Sequence, residues 1–126
     1  MENKTKQQRT ERDISETLTN GEILMLWRRR RGWNQIDSAN YHGVSIFKLK
    51  LAEYDKSKDF KYRNFKLGQL SPHEKCLIYR KRNGITQTQL CQILECSREW
   101  LRLQESGIVS CSKLLAFWEN YVNSTK

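Results

Sequence analysis

The sequence predicts an all-α fold built from two tandem copies of one three-helix unit, and three observations carry that prediction. Shifted against itself by 52 residues, the chain aligns Leu18 to Asp55 with Leu70 to Gly107 without a gap, and ten positions are identical. Helix-start signals recur at matching places in the two copies. Between them, apolar residues follow helical rather than alternating spacing. The identical pairs are Leu18/Leu70, Glu22/Glu74, Arg28/Arg80, Arg30/Arg82, Gly32/Gly84, Gln35/Gln87, Ser45/Ser97, Leu49/Leu101, Leu51/Leu103 and Glu53/Glu105.

The first helix of each copy opens on Thr19-x-x-Glu22 and on Ser71-Pro72-x-Glu74, an N-cap hydroxyl ahead of an acidic residue, with Pro72 at the first helical position. Ile23, Leu24, Leu26 and Trp27, and Cys76, Leu77 and Tyr79, supply its apolar stripe. Its basic last turn suits the negative end of the helix dipole, and Gly32 and Gly84 stop it. A second helix starts at Asn34 and at Thr86, where Thr86-x-x-Gln89 is a further capping box, and a third starts at Ser45 and Ser97. The turn between them reads His42-Gly43-Val44-Ser45 in the first copy and Leu94-Glu95-Cys96-Ser97 in the second. Glu95 therefore stands where glycine would most easily take a left-handed conformation.

Three segments follow from this register: an arm at 1–17, a first unit with its basic linker at 18–69, and a second unit with a closing helix at 70–126. The arm has equal numbers of basic and acidic residues and Ile14 as its one large apolar residue, so it is expected to be a flexible tail. Basic residues outnumber acidic ones by eleven to five in the first unit and eight to five in the second. The whole chain carries 23 Lys and Arg against 14 Asp and Glu, a net charge of +9, which attracts polyanions. No apolar run reaches the roughly 18 residues of a membrane span. The N-terminus also lacks the apolar segment of a signal peptide, so a cytoplasmic location and no membrane partner are expected. In that compartment Cys76, Cys91, Cys96 and Cys111 are expected as thiols, with Cys91 and Cys96 in core slots. Their spacing, and the isolation of His42 and His73, give no metal site and no cofactor.

The pattern R-x-x-x-G-hydrophobic-[N/T]-Q, then the turn and cap, then L-x-x-x-E, resembles the lambda-repressor-like (Cro/XRE-type) helix-turn-helix family over most of both copies. The resemblance implies tandem helix-turn-helix units, with Arg28–Glu53 and Arg80–Glu105 as structural salt bridges. It places Gln35 and Gln87 at the start of helix two, touching a phosphate or bracing the recognition helix. Recognition helices at about 45–54 and 97–106 would enter the major groove of double-stranded DNA. They would present Ser45, Ile46, Phe47, Lys48 and Lys50 in one unit, and Ser97, Arg98, Glu99 and Arg102 in the other. Arg98 suits a guanine edge, Glu99 a cytosine amine, and Ile46 or Phe47 a thymine methyl. The sequence departs from the family one residue before the closing Glu, where Ala52 and Gln104 stand and Leu51 and Leu103 are displaced by one, so the last turn of helix three is expected to be rotated.

With Arg28 taken by Glu53, the cations Arg29, Arg30 and Arg31 are left for phosphate contact. Lys56, Lys58, Lys61, Arg63 and Lys66, interleaved with Phe60, Tyr62 and Phe65, suggest a short helix plus linker whose basic side follows the backbone. Phe47 fits packing as well as base contact, and Trp100 fits packing better. Behind Ser110 and Ser112, the residues Leu114, Leu115, Trp118, Tyr121 and Val122 form a closing helix. It is a core lid first, with a homodimer surface through Leu114, Trp118 and Tyr121 as the alternative. The resemblance implies a small transcriptional regulator, most simply an autoregulatory repressor of phage or mobile-element origin acting in a bacterial cytoplasm or nucleoid. No effector site for a small molecule is visible. A protein-binding inhibitor or adaptor and an RNA-binding regulator are the competing classes. No nucleophile–base pair, phosphate loop or acidic metal cluster suggests an enzyme.

Overall fold

Seven α-helices and no strand occur among the described residues of the computed structural model, which are 14, 17–63 and 65–124. The chain divides after Gln69 into two units, each with its own core. The first holds α1 (Asn20–Arg30), α2 (Gln35–His42) and α3 (Ile46–Glu53). The second holds α4 (Pro72–Arg82), α5 (Gln87–Leu94), α6 (Arg98–Ser106) and α7 (Ser112–Ser124). α1 and α2 recur 52 residues later, to the residue, as α4 and α5. No helix among the described residues is long and apolar enough to cross a membrane.

The helices begin where polar caps satisfy their orphan amides. Thr19 Oγ1 accepts from the Glu22 N–H at 3.1 Å while the Glu22 carboxylate accepts from the Thr19 N–H at 3.0 Å. Asn34 and Asp37 make the same exchange at 2.8 and 3.1 Å, and Thr86 and Gln89 at 3.1 and 2.9 Å. Each cap stabilises its helix by about 1 kcal/mol. α3 and α6 start on single caps, Ser45 accepting from the Lys48 N–H and Ser97 from the Trp100 N–H.

α2 and α5 both end in a left-handed residue, Gly43 at φ 67° and Glu95 at φ 55°, ψ 49°. The non-glycine residue costs roughly 1 kcal/mol there, because its Cβ crowds the following carbonyl. Glu95→Gly is therefore expected to raise the stability of the second unit by about 1 kcal/mol, read as a shift in its denaturant midpoint at unchanged slope.

Leu24, Ala39, Leu49, Ala52 and Phe60 form the core of the first unit. That of the second is Cys76, Leu90, Cys91, Leu101, Cys111, Leu114 and Trp118. All four cysteines are free thiols. Burial and the neighbouring Cys111 thiol push the Cys76 thiol up, and burial and Cys91 push Cys96 up, which keeps both protonated. The last turn of helix three is not rotated: Ala52 is fully buried and Gln104 buried, while Leu51 and Leu103 are half-exposed. A small residue in one copy and an amide in the other fill the slot before the closing Glu without turning the helix.

The units differ in what closes them. In the second, α7 packs on α4 and sinks Leu114 and Trp118 to 1 % and 0 % exposure. Those two side chains are interior to their own unit, which corrects their assignment to a homodimer surface; Tyr121 is half-buried against Trp118 and Phe117. In the first unit an irregular strap at 56–69 does the closing, and the short helix expected there does not form among its described residues. Residues two apart do not share a helix face. Yet Phe60 is buried in the core while Tyr62 packs edge-on to it at 4.9 Å and donates its hydroxyl to the Ala52 carbonyl at 2.7 Å. Phe65 completes the strap by stacking on Trp27 with ring centroids 3.9 Å apart. Of the expected arm, Ile14 is buried and Thr17 donates its N–H and its hydroxyl to the Ile14 carbonyl. The rest of that expectation, 1–13 and 15–16, lies outside the described residues.

The N-terminus of α1 meets the C-terminus of α3 through Asp55, itself left-handed at φ 60°. Its carboxylate accepts from the Thr19 hydroxyl at 2.6 Å and from the Gly21 N–H at 2.8 Å. A Cβ on Gly21 would lie 2.6 Å from the carbonyls of Ala52 and Glu53. In the second unit the small residue changes sides. Position 73, the counterpart of 21, is His, and position 107, the counterpart of 55, is Gly; a Cβ on Gly107 would fall 2.7 Å from the His73 ring.

Candidate nucleic-acid interface

One polar clamp, made twice, positions the candidate surface. Arg28 at the end of α1 donates from Nε to Glu53 Oε2 at 2.7 Å, from Nη2 to Oε1 at 3.2 Å, and from Nη1 to the Trp33 carbonyl at 3.1 Å. Gln35, the first residue of α2, adds its amide to Glu53 Oε1 at 3.1 Å. Arg80, Glu105, Ile85 and Gln87 repeat these four bonds at 2.6, 3.1, 3.1 and 3.0 Å. Arg28 and Glu53 are 8 % and 2 % exposed, so the fork-to-fork geometry has to offset a large desolvation cost.

The clamp holds the C-terminal end of helix three inside the unit and leaves its first turns facing out. Ser45, Ile46, Phe47 and Lys50 are exposed, Lys48 is half-buried and Leu49 fully buried. In α6, Ser97, Arg98, Glu99 and Arg102 are exposed, Trp100 is half-buried against the core and Leu101 fully buried. Positions 46, 47 and 50, like 98, 99 and 102, share one helical face. Each unit thus presents most of its candidate readers, Ile46, Phe47 and Lys50 in one and Arg98, Glu99 and Arg102 in the other, on one exposed face of helix three, with Lys48 off that face.

Several of these side chains are already engaged. Arg102 donates to Glu99 at 2.7 and 3.2 Å, which holds the Glu99 carboxyl below its usual range and raises the Arg102 guanidinium. Lys48 bridges to Asp59 at 3.2 Å and lowers that carboxyl by hydrogen bonding first and charge second. The Glu99–Arg102 pair lies in open solvent, where partners exchange readily, whereas the Lys48 end of the other pair is half-buried. Gln87 lies between Glu105 and Arg98, whose Nη2 is 3.5 Å from the Gln87 carbonyl oxygen. The glutamines at 35 and 87 therefore brace helix three from within.

The Arg29–Arg31 run is not three uncommitted cations. Arg30 donates to the carbonyls of Leu67 and Gln69 at 2.6 and 3.3 Å and ties down the end of the strap. Arg31 lies 4.2 Å above the Trp27 ring and 5.4 Å from Trp33. Arg29 is exposed. A local reading of a charge run cannot see carbonyls nearly 40 residues away. One further exposed side chain escaped it: Ile36 projects from the start of α2 at 57 % exposure. Arg63, expected along the phosphate backbone, instead covers Tyr41 at 4.9 Å while donating to its hydroxyl at 2.8 Å. Ile36 was legible in principle, because it lies off the α2 face that buries Ser38 and Ala39.

His42 closes this aromatic cluster, with ring centroids 5.0 Å from Tyr41 and 5.3 Å from Phe60, and its Nε2 is buried without a partner. Burial first, and the Arg63 charge second, hold its pKa below the ordinary 6.5. The unfolded chain therefore binds a proton that the folded unit resists, so stability is lost as pH falls below 6.5 toward the folded value. Denaturant midpoints of the first unit are expected to fall between about pH 6.5 and 5, before carboxylates titrate, and His42→Leu is expected to flatten that slope.

Comparison of the chain with protein-family models, curated proteins and solved structures finds no match.

Proposed function

We propose that the chain is a sequence-specific double-stranded DNA-binding regulator whose two units are lambda-repressor-like helix-turn-helix modules, with α3 and α6 as recognition helices. The twice-made Arg–Glu–Gln clamp carries this reading. It fixes the inner end of helix three and turns the first face outward, the geometry a helix needs to place its N-terminal side chains in a groove about 12 Å wide. A net charge of +9 supplies the sequence-independent part of the affinity. Arg29, Arg31 and the exposed Lys58, Lys61 and Lys66 suit phosphates; Arg98, braced by Gln87, suits a guanine edge. Repression of the protein's own gene is the simplest role for a chain of this kind.

Selection of duplexes from a random pool, followed by gel shift across a salt series, tests the reading. Affinity is expected to fall with salt at a log–log slope of about −0.9 per neutralised phosphate. Arg98→Ala is expected to cost about tenfold or more on the selected duplex while sparing non-specific binding. Salt-insensitive or absent binding sinks the proposal.

A further inference from the structure

The two recognition faces are chemically different, and the difference points to different base edges. Where α6 carries Arg98 and Glu99, α3 carries Ile46 and Phe47, which are 39 % and 68 % exposed. Adjacent on the first turn of the helix, they form an apolar patch, and its neighbours say what kind of partner fits it. Lys50 shares this exposed face of the same short helix, in a unit with eleven basic and five acidic residues. The centre of a protein–protein interface is depleted of charge, so cations in that position fit poorly there. A surface on which phosphates alternate with isolated apolar groups fits better, and in the major groove of duplex DNA the apolar group is the thymine 5-methyl.

Resting on the DNA-binding reading above, we infer that the first unit is a thymine reader, with Phe47 and Ile46 packing on 5-methyl groups, whereas the second selects its bases through charged side chains. The units then make unlike demands on the two parts of the site.

The test uses the full chain and a duplex obtained by selection from a random pool. Each thymine is replaced singly by deoxyuridine, which keeps the base pair and removes only the methyl. Affinity is expected to fall about fourfold, the effect of one buried methyl, at one or two adjacent thymines. Phe47→Ala, or Ile46→Ala at the neighbouring base, is expected to abolish that sensitivity, while Arg98→Ala leaves it in place. A selected duplex that binds equally well with thymine and uracil throughout overturns the inference alone. So does a Phe47→Ala protein with unchanged affinity and unchanged uracil sensitivity, which would leave the patch to a protein partner. A pool that yields no preferred duplex overturns the DNA reading and this inference with it.

Discussion

Replacing Glu53 by Ala is expected to destabilise the first unit by about 3–5 kcal/mol, because it strands the Arg28 guanidinium in the interior without its ion pair and leaves the Gln35 amide without the carboxylate the two share. A unit of some fifty residues has a total stability of only about 3–8 kcal/mol, so the variant should be largely unfolded there. Amide hydrogen exchange reads the two units separately, and protection should collapse in α1 to α3 while α4 to α7 hold theirs. Arg28→Met with Glu53→Leu removes both charges at similar volume and is expected to recover most of the loss. The equivalent change at Glu105 should cost less, since the Arg80 side chain keeps 18 % of its surface in water against 9 % for Arg28. Equal exchange in both units of the Glu53→Ala protein would refute the clamp as the principal restraint on helix three.

Trp118→Ala is expected to cost the second unit about 3–5 kcal/mol, because the indole is fully buried among Tyr79, Phe117 and Tyr121 and truncation leaves a cavity that short helices cannot close. Trp118→Phe should lose much less, since the indole N–H it removes has no hydrogen-bond partner. Circular dichroism melts at several protein concentrations separate this from a role in assembly. A core role lowers the melting temperature equally at every concentration, whereas a dimer contact makes the midpoint depend on concentration.

Much of this architecture was legible because its signals are local or periodic. Caps such as Thr19–Glu22 and Thr86–Gln89 act over three residues, and the repeat register carried the clamp residues as aligned pairs. The strap of the first unit was illegible for the opposite reason. Phe60, Tyr62 and Phe65 look like a poor helix until Trp27 and the Ala52 carbonyl are known to lie opposite them. The commitment of Arg30 to Leu67 and Gln69 has no sequence signature at all. At the candidate interface, the side chains expected to face outward are mostly exposed, and the neighbouring core Leu101 already favoured packing for Trp100, which is half-buried. The ion pair of Lys48 with Asp59 was illegible because it joins helix three to the strap.

The exchange of bulk between positions 21 and 55 and positions 73 and 107 bears on how this gene can change. Each junction of first and third helix is matched within its own copy: Gly21 leaves room for Asp55, and Gly107 leaves room for His73. A crossover between the duplicated halves that joined α4 to α3 would set His73 against Asp55 and the carbonyls of Ala52 and Glu53. The reciprocal product would pair two glycines and lose the Asp55 cap on α1. Recombination between the halves is thereby penalised at the level of folding, and two copies of common design are free to drift apart without being homogenised.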